Sequence, residues 1–256
     1  MTDVPLTLNR ATHVATLLEI TVTSPADARR AVNAGADRLE LCAALDCGGL
    51  TPSLGAFLET RRATALPIVV LLRPRPGGFV YSEEEFAVMR RDLDLFRAHG
   101  ADGFVVGLLD QHNQLDEDRL RLLVKSAHGK DLIFSRAFDL AAEPFHALDR
   151  LVDLGFRRIL TSGQQPTAPQ GATFLRRLHE HARGRIGILP GGGVRPDNAA
   201  ELLRATGCNQ VHASARRRRV DDSAGRQEFG FCPGAEGCIE ETDEGLVRAL
   251  REALDR

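Results

Sequence analysis

Gly35-Ala36-Asp37-Arg38-Leu39-Glu40-Leu41-Cys42 contains the unit from which the chain is built. The amphipathic segment before it stops at Gly35, a residue suited to the left-handed conformation that closes a helix. A short β-rich run follows at once. The same order of helix, stop and strand recurs at Gly100, Gly129, Gly155, Gly184 and Gly207, and at Pro67 after a helix-like segment over 53–63. The runs behind these stops are 68–72, 103–106, 132–134, 158–160, 186–189 and 210–212. An earlier run over 15–20 leads into Ser24-Pro25, a capping residue with proline in the first turn. Neighbouring stops lie 23 to 33 residues apart, room for one strand and one helix. Eight such units, ending in a helix over 243–254, predict an α/β fold, the (β/α)8 TIM barrel, as a single domain. A doubly wound sheet that binds a dinucleotide needs a glycine-rich turn after its first strand. Thr21-Val22-Thr23-Ser24 has no glycine. Residues 1–14 read as a loose N-terminal lead, and 214–241 as an irregular stretch rich in glycine and charge.

Composition narrows the function classes. The 256 residues carry 33 Lys and Arg against 35 Asp and Glu, a net charge of −2. No global basic field draws such a molecule to nucleic acid or to an anionic membrane. No run approaches the roughly 20 apolar residues of a membrane span. The first ten residues lack the charged start and apolar run of a secretory signal. Five cysteines without a dense framework point to a reducing cytoplasm. With no Trp and one Tyr, a stacking platform for single strands or sugars is poorly provided.

In barrels of this kind the active site lies at the carboxyl ends of the strands. Read in order, those ends offer Glu19 and Thr21, Glu40 and Cys42, Arg73, Ser135-Arg136, Thr161-Ser162-Gly163, Gly191-Gly192-Gly193, and His212 with Ser214. Strand side chains alternate, so Glu19 shares a face with Thr21, Glu40 with Cys42, and His212 with Ser214. Polar groups at the end of a buried strand are costly unless partnered. Glu19, Glu40, Arg73, Arg136 and His212 are therefore candidates for acid–base and anion-holding roles. The bland alternative is an ion-pair network that only holds the barrel top together.

The triple glycine follows the seventh strand, and a helix is expected to start near Pro196-Asp197. Phosphate sites in these barrels use the loops after strands seven and eight with a helix N-terminus. Gly191, Gly192, Gly193 and Ser214 are the candidate anion-binding residues, unless the glycines serve only a tight turn. Cys42 at a strand end and Cys47 in the next loop are candidate soft ligands for Cu(I) or Zn(II). Neither this pair nor Cys232 and Cys238 has the short spacing of a strong zinc site, and a single Cys is more often a small buried apolar residue. The four consecutive arginines 216–219 read either as a phosphate-binding run or as a solvated loop partly neutralised by Asp221 and Asp222.

Several motifs, in order along the chain, resemble the CutC copper-homeostasis family. They are Leu18-Glu19-Ile20, the stretch from Gly35 to Cys42, Gly48-Gly49-Leu50-Thr51-Pro52-Ser53, Leu72-Arg73-Pro74-Arg75, Arg136-Ala137-Phe138-Asp139, Ile159-Leu160-Thr161-Ser162-Gly163-Gln164, Pro190-Gly191-Gly192-Gly193 and Val211-His212-Ala213-Ser214. The resemblance implies a TIM barrel, a cytoplasmic homo-oligomer (commonly a dimer), a link to copper tolerance, and Cu(I) binding by cysteine. It implies no assigned reaction. Two positions depart from the family pattern: Thr21 stands where the first strand often has a Cys, and Ser135 where the fifth strand usually has a His. A hydroxyl is a poor ligand for soft Cu(I), so those two strand positions cannot supply a two-thiolate site.

Two functions follow as expectations. One is copper homeostasis, with Cu(I) as cofactor or cargo at Cys42, alone or with Cys47. The other is an enzyme acting on a small phosphorylated or carboxylated metabolite, with Arg73 and Arg136 holding the anion, Glu19 or Glu40 as base and His212 as acid. A nucleic-acid role through 216–219 is disfavoured by net charge and aromatic content, and no membrane partner is expected.

Overall fold

The computed structural model describes residues 16–220 and 238–256. Eight parallel strands form the barrel: β1 Leu17–Val22, β2 Arg38–Leu41, β3 Ile68–Leu71, β4 Gly103–Val106, β5 Asp131–Phe134, β6 Arg158–Thr161, β7 Gly187–Pro190 and β8 Gln210–Ala213. Between them run α1 Pro25–Asn33, α2 Leu54–Ala63, α3 Glu83–Ala98, α4 Glu117–Ala127, α5 Pro144–Asp153, α6 Ala172–Ala182 and α7 Ala199–Thr206, with α8 Glu244–Leu254 last. The strand order β7-β6-β5-β4-β3-β2-β1-β8 follows the chain around the ring. A parallel bridge from Gly191 to His212 and a bond from Gln210 Nε2 to Ile188 O close the seam between β7 and β8.

The local signals behave as their chemistry dictates. Ser24 accepts from Asp27 N–H with Pro25 in the first turn of α1, and Ser53 accepts from Ala56 N–H at α2. All six stop glycines have positive φ, so each ends its helix in a conformation that a side chain would strain.

The strands divide the interior by alternation. Leu18, Ile20, Val22, Leu39, Leu41, Val211 and Ala213 face the helices and join the larger core. Inside the ring, Cys42, Val69, Leu71, Val105, Ile133, Leu160 and Leu189 form a second, smaller apolar cluster.

Three boundaries differ from the sequence reading. The first strand runs to Val22. Helix α7 starts at Ala199, because Pro196-Asp197 lies in a turn tied by Asn198, whose Oδ1 accepts from Arg195 N–H. The two ends of the stretch expected to be irregular pair as an antiparallel hairpin, β9 Arg216–Val220 with β10 Cys238–Thr242. The four arginines are thus a strand, stabilised across the ladder by carboxylates: Arg217 pairs with Glu241, and Arg216 lies 3.6 Å from Asp27 and from Glu240. The N-terminal lead, Asp221, Asp222, Cys232 and the side chain of Cys238 lie outside the described residues.

Candidate functional site

A cavity of about 500 Å³ opens at the carboxyl ends of the strands. It gathers most of the predicted site residues: Glu40, Cys42, Arg73, Arg136, Gly192, Gly193, His212 and Ser214 all line it. Glu19 lies outside the lining, Gly191 is drawn into the seam, and Cys47 is exposed.

The charged part of the wall follows from register. β1 places Glu19 between Arg38 of β2 and His212 of β8, and Thr21 beside Glu40. Arg38 Nε donates to Glu19 Oε2, and both side chains are sealed from solvent. His212 Nδ1 lies 2.7 Å from Glu19 Oε1, and its Nε2 lies 2.8 Å from Thr21 Oγ1. Thr21 in turn donates to Glu40 Oε2 at 3.3 Å. With Thr21 donating to Glu40, the contacts of Nε2 with Thr21 and of Nδ1 with Glu19 suit a ring that donates from both nitrogens, the imidazolium form.

The electrostatics agree with this proton count. Burial opposes ionisation of Glu19, but Arg38 and His212 together outweigh it and hold the carboxyl at about 2. Burial likewise disfavours a charged His212, and Glu40 and Glu19 reverse that and raise it. Glu40 is raised, chiefly by burial and further by Glu19, against the pull of His212. Of the two carboxylates expected as base, Glu19 is therefore locked in an ion pair beneath the floor. Glu40 is the one that faces the cavity.

Arg73 departs from the expected anion-holding role. Its Nη1 donates to the carbonyls of Cys47 and Gly49 and its Nη2 to that of Gly77, while the guanidinium lies 5.3 Å from the Phe79 ring. It ties two loops at the cavity edge. Arg136 is different. Its Nε donates to Asp139 and its Nη2 to Ser162 Oγ. Its Nη1 sits against the Gly192-Gly193 turn, where a Cβ on Gly192 would come within 3.1 Å. Gly191 N–H is already bonded to Thr161 O, so the candidate anion cradle narrows to Gly192, Gly193 and Arg136. Asp139 organises this side: it accepts from Thr161 Oγ1, Ser162 N–H and Gln164 N–H as well as from Arg136. The motifs Arg136-Ala137-Phe138-Asp139 and Thr161-Ser162-Gly163 are thus two halves of one bonded unit. Ser135, at the position of the family histidine, caps its own turn by accepting from Ala137 N–H.

The soft-ligand reading finds a thin donor set. Cys42 is buried in the cavity floor, and burial, with Glu40 adding to it, pushes its thiol far above the ordinary range. Cu(I) binding needs the thiolate. Among the described residues, no group of three His, Cys, Asp or Glu is arranged to hold a metal. No helix among them is long and apolar enough to cross a membrane.

The CutC family model matches residues 16–217. This chain belongs to the CutC family. A CutC family protein of Chromobacterium violaceum is 44% identical over 94% of this chain and 98% of its own length. A human protein named copper homeostasis protein cutC homolog is 40% identical over 79% of this chain and 74% of its own length. Among solved structures, a putative copper homeostasis protein CutC from Streptococcus agalactiae superposes with a TM-score of 0.75 at 32% identity, covering 78% of this chain and 98% of that one.

Sequence reasoning missed Arg38 and Asp139. Arg38 was legible in principle, since 38, 40 and 42 share one face of a period-two strand. Asp139 carried no such signal, because its partners lie on the next strand end.

Proposed function

We propose that this chain serves the copper-homeostasis role carried by its family through acid–base chemistry on a small phosphorylated or carboxylated molecule held in the barrel-top cavity. The observation that carries this reading is the Glu40–Thr21–His212 chain in the wall of the cavity that Arg136 and the Gly192-Gly193 turn also line. Glu40 gives its proton to the substrate. His212, charged beside Glu19, then passes its Nε2 proton to Thr21 Oγ1 as Thr21 passes its own to Glu40, which leaves Glu40 reprotonated and the imidazole neutral. Arg136 Nη1 and the backbone of the glycine turn hold the anion. A hydrogen bond to a charged group contributes about 1.5–3 kcal/mol, so three strong ones give about 9 kcal/mol, and an association cost of at least about 4 kcal/mol leaves binding in the submillimolar to millimolar range. A cytoplasmic homodimer is proposed with the family assignment.

Thermal shift against a panel of phosphate esters and carboxylates tests the reading. Stabilisation that is lost in Arg136→Ala is expected. If no compound stabilises the protein, or if Arg136→Ala leaves the responses unchanged, the charged wall is structural and the reading fails.

A second reading rests on one observation, that Cys42 lines the same cavity. Cu(I) would then be cargo held by a single buried thiol, with Cys47 needing to fold inward. Anaerobic Cu(I) titration against a competing chelator separates the two readings. Weak binding, equal in wild type and Cys42→Ser, is expected. Tight one-to-one binding lost in Cys42→Ser would establish the copper reading.

A further inference from the structure

Resting on the anion reading above, we propose that the ligand of this cavity is amphipathic: a phosphate or carboxylate head joined to an aromatic or branched aliphatic body that lies against α8. Two observations carry this.

The first is size. A cavity of about 500 Å³ falls in the range that encloses whole small molecules, and a tetrahedral anion at Arg136 fills only a small part of it. The second is the chemistry of the remaining wall. Many of its polar groups already have partners inside the protein. The Arg73 Nη atoms are bonded to carbonyls, both nitrogens of His212 are bonded to Glu19 and Thr21, and Ser135 Oγ is bonded to Ala137 N–H. The rest of the lining includes Val194, Pro196, Ala215, Leu246 and Leu250, which offer no side-chain hydrogen bond, together with Ser214 and with Arg195 and Arg216, whose guanidiniums are bonded to Asp197 and to Thr23.

Leu246 is the telling residue. It stands in the first turn of α8, with its N–H bonded to Asp243 Oδ1, and its side chain stays 38% exposed at the cavity rather than packing into the core. A ligand that covers it removes apolar surface from water. A polyhydroxylated body would instead lose water from the hydroxyls that face leucine, valine and proline, with no bond in return from those side chains. The same head on an apolar body avoids that loss, so the wall discriminates by body while the turn and Arg136 read the head.

The test uses three probes that share a phosphate head: inorganic phosphate, glycerol phosphate and phenyl phosphate, titrated calorimetrically into the full chain. Phenyl phosphate is expected to bind at least tenfold more tightly than glycerol phosphate. That gap should close in Leu246→Asn, a change outside the buried core whose unfolding midpoint is measured alongside, while Arg136→Ala weakens whichever probes bind. If glycerol phosphate binds as tightly as phenyl phosphate, or if Leu246→Asn keeps the tenfold gap, the amphipathic inference is overturned and the anion reading stands. If none of the three binds, and benzoate as a carboxylate head does not bind either, the anion reading itself falls and this inference falls with it.

Discussion

The two sides of the barrel interior are filled by opposite chemistry. Strands β8, β1 and β2 point Glu19, Thr21, Arg38, Glu40 and His212 inward, whereas β3 to β7 contribute Val69, Leu71, Val105, Ile133, Leu160 and Leu189. The apolar side is held by area removed from water and by close packing, which are non-directional. The polar side holds only because three neighbouring strands stand in a register that gives each charge a partner at bonding distance. Charge inside a barrel is therefore tolerated as a connected patch, and its open edge, where Thr21, Glu40 and His212 line the cavity, is where chemistry can occur.

The comparison is broken most severely by removing one partner of the sealed pair. Arg38→Met leaves buried Glu19 with His212 as its one remaining charged partner, and a broken buried pair costs about 3–5 kcal/mol. Urea unfolding should show that loss, and the double variant Glu19→Gln with Arg38→Met should recover much of it. An unchanged midpoint in Arg38→Met would mean that the pair contributes nothing to the fold.

On the apolar side, Leu189→Ala should cost about 2–5 kcal/mol through a lost transfer energy and a residual cavity. Nuclear magnetic resonance of the His212 ring should show no change in its protonation. A shifted His212 titration in this variant would show that the two sides are coupled.

Acid sharpens the contrast further. The carboxyl of Glu19 titrates at about 2 in the folded chain against an ordinary 4.5. Its contribution is complete above pH 4.5 and is lost as pH falls through about 2, because the unfolded chain then binds the proton first. Denaturation midpoints measured from pH 6 to pH 2 should fall, less steeply in Glu19→Gln and just as steeply in Leu189→Ala. His212 acts with the opposite sign. Its raised value contributes stability that is present below 6.5 and lost as pH rises through the folded value.

The smallest expected effect is at Thr21. Thr21→Val removes two hydrogen bonds of the polar patch while keeping its volume, and a net loss of about 1 kcal/mol per bond is typical. Thr21→Ser should restore the wild-type midpoint. Failure of serine to rescue would show that the methyl group, and not the hydroxyl, matters there.

Much of the site was readable before the fold was known. Glu40, Arg136, His212, Ser214 and the Gly192-Gly193 turn were recognised because each sits just where a helix-stop-strand unit ends, and the barrel brings all such ends to one mouth. Their division of labour was not readable. Arg73 and Arg136 occupy equivalent positions in sequence, yet the Arg73 guanidinium is bonded to carbonyls of Cys47, Gly49 and Gly77 while that of Arg136 keeps one nitrogen at the glycine turn. Glu19 and Glu40 likewise look alike at strand ends, and only the neighbouring strands make one a sealed ion-pair partner and the other an open acid. The hairpin of β9 and β10 was hidden because its ladder joins residues more than 15 positions apart.

The sequence by itself determined the barrel, because caps, stops and alternation act over a few residues and repeat eight times. The tertiary structure alone decided which charges are sealed and which are open, because that depends on register across β8, β1 and β2 and on loop carbonyls brought near from distant positions. Local propensity sets where a strand ends, but a side chain's partners, and with them its protonation state, are fixed only when the ring closes.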